Sequence, residues 1–207
     1  KQLNDSFRKK VGKKDYSSGV NRLHFETALK MINSYLDYEI EDLSKGDDVA
    51  YLESERRVER VLEVEYQGKK LPIRIKGFID RIEKRNGILH LIDFKTGNVS
   101  TTDLNLSPSK NKSTTYDFLE DKLTSKGKAL QLLLYDWLLY EDNKDVEDKN
   151  QIISLAAPGK RDLYLQVKDR EEVMELFEEF LRSTVVKMLD SAHPIEASEK
   201  FKYAVFE

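Results

Sequence analysis

The chain has 207 residues, of which 39% are hydrophobic and 35% charged, with a formal net charge of −3 and no cysteine. That length fits one domain with a sizeable core, and the composition is polar for a globular protein without reaching that of a disordered one. The missing thiols exclude disulfides, thiolate metal sites and a cysteine nucleophile in this sequence; no apolar run nears the roughly 18 residues of a membrane span and no signal peptide opens it, so it reads as soluble and cytoplasmic. Lys1 in first position reads as the start of a piece of a larger protein.

Residues 1–18 are polar, with a short helix expected over Leu3–Lys10 and a loop after it. From Val20 to Leu43, apolar side chains at Phe25, Leu29, Ile32, Leu36 and Ile40 recur at helical spacing and predict one helix with that stripe facing the core. Two strands follow, Val49–Tyr66 and Leu71–Glu83, joined by a turn at Gln67-Gly68-Lys69-Lys70. Asn86-Gly87 is a strong hairpin signal, so the strand beginning at Ile88 is expected antiparallel and adjacent to the one before it. Residues 96–127 are rich in Ser, Thr, Asn and Lys, with one helical candidate at Tyr116–Leu123; a connection this long reads as a lid, a binding loop or disorder. Ala129–Tyr140 is apolar nearly all round and predicts a buried helix, with Gln131 and Tyr135 on one face and Trp137 and Leu138 in the core. Ile152–Ala156 and Asp162–Val167 read as a hairpin turning through Pro158-Gly159. Asp169 and Glu172 then start a closing helix that buries Val173, Leu176, Phe177, Phe180 and Leu181. The order is that of an α/β fold with a central mixed sheet flanked by helices.

The chemistry concentrates on the third strand. Period-2 alternation puts Leu89, Leu91, Asp93 and Lys95 on one face, so an apolar strand surface ends in a carboxylate and an ammonium. Burying a lone carboxylate is costly, so Asp93 needs a cation. In the preceding strand Phe78, Asp80 and Ile82 are expected to share a face, and a suitable register brings Asp80 beside Asp93, a pair of hard oxygen donors suited to a divalent ion. Local basic clusters, at Lys9, Lys10, Lys13 and Lys14, at Arg74 and Lys76, and at Lys110, Lys112, Lys126 and Lys128, are compatible with a nucleic-acid partner and equally with a solvated surface. Lys95-Thr96 lacks the glycine frame of a P-loop, and no GxGxxG, HExxH or CxxC occurs.

Taken together, Gly77-Phe78-Ile79-Asp80-Arg81-Ile82, Ile92-Asp93-Phe94-Lys95-Thr96-Gly97 twelve intervening residues after Asp80, and Gln131-Leu132-Leu133-Leu134-Tyr135 resemble the PD-(D/E)xK nuclease superfamily and its RecB/AddB-like branch. The resemblance covers about residues 20–190 and implies a single nuclease domain with a restriction-endonuclease-like core. It implies that Asp80, Asp93 and the Phe94 backbone carbonyl bind Mg²⁺ or Mn²⁺, that Lys95 orients or activates the attacking water, and that Gln131 and Tyr135 position DNA or a catalytic side chain. It further implies an acidic residue ahead of the GxxDR strand, for which Glu53 is preferred over Glu55. A Gly-x-x-x-His helix supplies a further metal ligand in that branch; here Gly19 and His24 have four residues between them, so His24 is one candidate and a helix upstream of Lys1 the other. His90 alternates away from Asp93, and His193 precedes Pro194. The expected activity is metal-dependent DNA hydrolysis by the exonuclease module of a repair or recombination protein, with DNA and a helicase segment or subunit as partners and no membrane. The alternative is a nuclease-like fold that binds DNA or a protein without cutting.

Overall fold

The computed structural model describes residues 5–6, 9, 18–110, 112–143 and 146–192. Of the helix expected over Leu3–Lys10, Asp5, Ser6 and Lys9 are described and helical; the rest of it, and His193, lie outside the described residues. The elements run α1 (Gly19–Ser44), β1 (Val49–Tyr66), β2 (Lys69–Arg85), β3 (Ile88–Lys95), a 3₁₀ turn (Thr101–Leu104), α2 (Tyr116–Ser125), α3 (Gly127–Asn143), β4 (Asp148–Ser154) and α4 (Arg170–Leu189). They build a four-stranded mixed sheet in the order β1-β2-β3-β4: an antiparallel meander, then β4 parallel to β3 after the crossover through α2 and α3. Among the described residues no helix is long and apolar enough to cross a membrane.

Two tight turns set the registers. Gln67 and Gly68 (φ 50° and 72°) and Asn86 and Gly87 (φ 51° and 86°) are two-residue turns with both φ positive, the form that matches strand twist. The first turn is thus two residues shorter than the four-residue stretch read from the sequence, and β2 extends to Lys69. A Cβ on Gly87 would meet nothing within 4 Å, so only its backbone angle resists substitution. Gly87→Ala is expected to cost about 1 kcal/mol of stability in a denaturant melt with little change in the slope.

The alternation along β2 slips at the residue that matters most. Phe78 is 53% exposed, while Ile73, Ile75 and Ile79 face the main core and so, three residues on, does Ile82. Phe78, Asp80 and Ile82 therefore do not share a face as expected from strict period 2. The β1–β2 register shifts between Tyr51 and Glu53, and Glu55, the residue that would lie across from Asp80, has φ 51°. The shift leaves Leu52 as an extra residue on β1, the signature of a β-bulge beside the stretch where β2 changes its facing.

The main core lies between the sheet and α2, α3 and α4. Leu62, Ile79, Leu91, Leu132, Leu133, Trp137 and Phe177 are essentially inaccessible within it. Helix α4 starts on its own cap, the Asp169 carboxylate accepting from the Glu172 backbone N–H at 3.1 Å. In the segment 96–127, read as a lid, a binding loop or disorder, the stretch Val99–Leu106 is packed onto the rest of the domain. Val99, Leu104 and Leu106 are buried in the core, the Leu106 N–H donates to Gln166 O (2.8 Å), and Lys126 Nζ donates to the carbonyls of Thr102 and Asn105.

Helix α1 covers the opposite face, but not with the expected stripe. Leu36 and Ile40 are 48% and 64% exposed, and Tyr35 is the helix's buried residue, packed with Ile92, Ile153 and Phe94. The sheet face there carries Arg81, buried Glu83 and Arg85, so the helix turns its acidic side inward, about a quarter turn from the apolar stripe. Glu39 pairs with Arg85 and Arg161 (both 3.1 Å), and Asp42 with Arg161 (3.1 Å). The loop after β4 also packs on α1: a Cβ on Gly159 would stand 2.7 Å from Tyr38 Oη. Residues 162–167 form isolated bridges, Gln151 with Tyr164 and Asn105 with Gln166, in place of the predicted second hairpin strand.

Candidate functional site

Asp93 sits near the end of β3, 2% exposed, in the wall facing α3. The β2–β3 ladder pairs Ile82 with Leu91 and Arg81 with Ile92, so the next step of the same register sets Asp80 opposite Asp93. Regular pairing stops there: the Phe94 N–H donates to Asp80 Oδ2 (2.8 Å). The Asp80 charge is near enough to act on both Asp93 and Tyr135.

The α3 side of the site is a closed set of hydrogen bonds centred on Gln131. Its Nε2 donates to Asp93 Oδ1 (2.7 Å) and to Tyr135 Oη (2.6 Å), and its Oε1 accepts from Lys95 Nζ (2.8 Å). A reversed amide would point an oxygen at a carboxylate and two N–H groups at an ammonium, so the partners fix its orientation. Tyr135 Oη lies 3.5 Å from Asp93 Oδ1, a long contact. Gly77 keeps the helix close, its α-hydrogen side facing Tyr135 and Leu138, which a Cβ would touch at 3.4 Å.

The other oxygen of Asp93 is different. Oδ2 is buried without a hydrogen bond, although Lys95 Nζ is 2.8 Å away; the ammonium forms a short ion pair from outside hydrogen-bonding angles. Burial pushes the Asp93 carboxyl above the usual carboxylate range, Lys95 opposes this, and Asp80 adds to it. Burial also pushes the Tyr135 phenol up to about 12, so it stays protonated at neutral pH. A buried carboxylate beside a second carboxylate is a donor set that fits a hard divalent cation. Asp80, Asp93 and the Phe94 carbonyl are the groups there that could hold one.

Other candidates fall elsewhere. Glu53 is half exposed and ion-paired with Arg56 (3.2 Å), Glu55 is exposed, and His24 is exposed on α1. Among the described residues no group of three or more His, Asp or Glu could hold a metal, so neither Glu53 nor His24 joins the two aspartates. His90 is buried on the opposite face, its Nδ1 3.1 Å from Gln151 Oε1, and burial lowers its pKa. Lys128 pairs with Asp103 (3.2 Å), and Arg74 lies 4.0 Å from Glu59. No sequence motif singled out Tyr35, whose hydroxyl accepts from Arg81 Nη1 (2.8 Å) and whose ring packs edge-on against Phe94 with centroids 5.5 Å apart.

A meander crossing through helices to a parallel fourth strand, with paired aspartates and a lysine where the ladder opens, defines a restriction-endonuclease-like fold. The chain matches the family model of the PD-(D/E)XK nuclease superfamily over residues 5–200 and belongs to that superfamily, which makes its function of the nuclease type. No curated protein and no solved structure matches it.

Proposed function

We propose that this domain is a Mg²⁺- or Mn²⁺-dependent deoxyribonuclease, the exonuclease module of a DNA repair or recombination protein. The observation that carries the reading is the juxtaposition, where the β2–β3 ladder opens, of the buried Asp93 carboxylate with Asp80 and with Lys95 Nζ 2.8 Å from Asp93 Oδ2. Asp80, Asp93 and the Phe94 carbonyl would hold the ion, which when bound would lower the pKa of water and neutralise charge on the phosphate. Lys95 would orient the attacking water and stabilise the charge that builds on the phosphoryl oxygens. Gln131 holds Lys95 and Asp93 at once, and the neutral Tyr135 phenol adds a proton donor that does not titrate in the working range. The exonuclease and repair assignments rest on the resemblance of the GxxDR, DxK and QxxxY segments to RecB-like nucleases.

The test is cleavage of linear and closed circular DNA by purified protein with Mn²⁺ or Mg²⁺. Metal-dependent loss of the linear substrate is expected, abolished by chelator, by Asp93→Ala and by Lys95→Ala; cleavage of the circle would replace the exonuclease reading with an endonuclease one. Equal activity in wild type and both variants would overturn the site. A second reading, a fold that binds without cutting, is favoured by the absence of a third acidic or histidine ligand among the described residues. It predicts DNA binding with no cleavage and no metal-binding heat that depends on Asp80 and Asp93.

A further inference from the structure

We infer that Tyr35 of α1 is a positioning residue for the metal site, acting through the sheet from the face opposite the two aspartates. The inference rests on the proposed metal-binding role of Asp80 and Asp93. In a strand, a residue's successor projects to the other face, so whatever grips the successor constrains the peptide that carries the functional side chain. Tyr35 touches both successors. Its hydroxyl accepts from Arg81 Nη1 at 2.8 Å, and Arg81 follows Asp80. Its ring packs on Phe94, which follows Asp93, at 5.5 Å and an interplanar angle of 82°. The Phe94 N–H in turn holds Asp80 Oδ2, and the Phe94 carbonyl is the third proposed ligand. One side chain therefore ties together the two strand segments that must converge for two carboxylates to share an ion.

The clamp is itself well fixed. Tyr35 is the buried residue of α1, Arg161 lies 5.8 Å from its ring centroid, and burial followed by the nearby Glu39 raises its pKa to about 12, so the phenol remains neutral. Arg81 is also held by Glu83 and, at 3.6 Å, by Glu39, so it survives loss of the phenol while losing the partner that links it to Phe94. The regular β2–β3 ladder does not reach Asp80 and Asp93, which leaves their relative position to contacts of this kind.

Tyr35→Phe removes the hydroxyl and keeps the ring; Tyr35→Leu removes both contacts. Asp47→Asn serves as a control, weakening the same ion-pair cluster at Arg85, away from the aspartates. The readouts are Mn²⁺ binding without substrate, followed by electron paramagnetic resonance, and the thermal midpoint of each variant. Tyr35→Phe is expected to weaken Mn²⁺ binding about tenfold, and Tyr35→Leu further, while Asp47→Asn lowers the midpoint without changing Mn²⁺ affinity. Wild-type affinity in Tyr35→Phe would overturn the positioning role alone. Weakening of Mn²⁺ binding in all three variants in proportion to lost stability would reduce Tyr35 to a packing residue. A wild-type protein that binds no Mn²⁺ would overturn the metal site itself, and the role of Tyr35 with it.

Discussion

Replacing Asp93 by asparagine is expected to remove cleavage, by about a thousandfold or more, while raising thermal stability at neutral pH. The two effects have opposite signs because the carboxylate is held where its charge is poorly compensated. The carboxyl is buried, and desolvation outweighs the Lys95 ammonium 2.8 Å from Oδ2 in setting its affinity for protons. A group whose pKa is raised in the folded state contributes stability that is full below the unfolded pKa and is lost as pH rises through the folded one. Asparagine keeps an oxygen for the Gln131 N–H and removes the charge; Lys95, still bonded to Gln131 Oε1 and partly exposed, can be solvated. The variant's advantage in melting temperature should therefore shrink as the pH falls and the wild-type carboxyl takes up its proton. A loss of activity and stability together would instead mark Asp93 as one half of a structural ion pair.

Arg170→Ala should be the most destabilising single change outside the apolar core, and its cost should depend on pH. Arg170, the first residue of α4, donates through Nε to Asp136 (3.2 and 3.3 Å) and through Nη2 to Asp148 (2.7 Å), carboxylates whose side chains are 3% and 5% exposed. Removing the cation strands two buried negative charges, which costs about 3–5 kcal/mol when a buried pair is broken from one side. Burial and the neighbouring Asp136 already push Asp148 up to about 6 with the arginine in place. Without it, both carboxyls should bind protons more tightly, so acid should restore much of the loss. Urea unfolding of wild type and variant at pH 8 and pH 5 should show a large difference at the first and a much smaller one at the second. A difference independent of pH would mean that the arginine acts through packing of α4 alone.

Most elements, and the neighbourhood of Asp80, Asp93, Lys95 and Gln131, were readable because they are written locally. Asn86-Gly87 announces its turn, the spacing from Asp80 to Asp93 permits the register that opposes them, and an apolar helix containing one glutamine has to supply that glutamine with partners. Of the features that were not readable, three have a plain tertiary reason. The face of α1 depends on Arg81, Glu83 and Arg85, distant in sequence, so its own apolar spacing pointed about a quarter turn away from the docked side. The slip in β2 lies beside the register shift in the neighbouring strand and across from Glu55, and no rule of alternation within β2 contains it. Tyr35 looks like any helical tyrosine until the ends of two strands are brought beneath it.

The short turn at Asn86-Gly87 limits how this part of the chain can change in length. With Ile82 held opposite Leu91, one residue added to or removed from either strand between the aspartates and the turn would swing one carboxylate to the far side of the sheet. Matched insertions, one in each strand, would keep the acids opposed while lengthening the ribbon. Length variation among homologues is thus expected to spare this stretch or to come in such matched pairs, and to gather instead at Gln67-Gly68, at the far end of the longer hairpin, where a change moves neither aspartate.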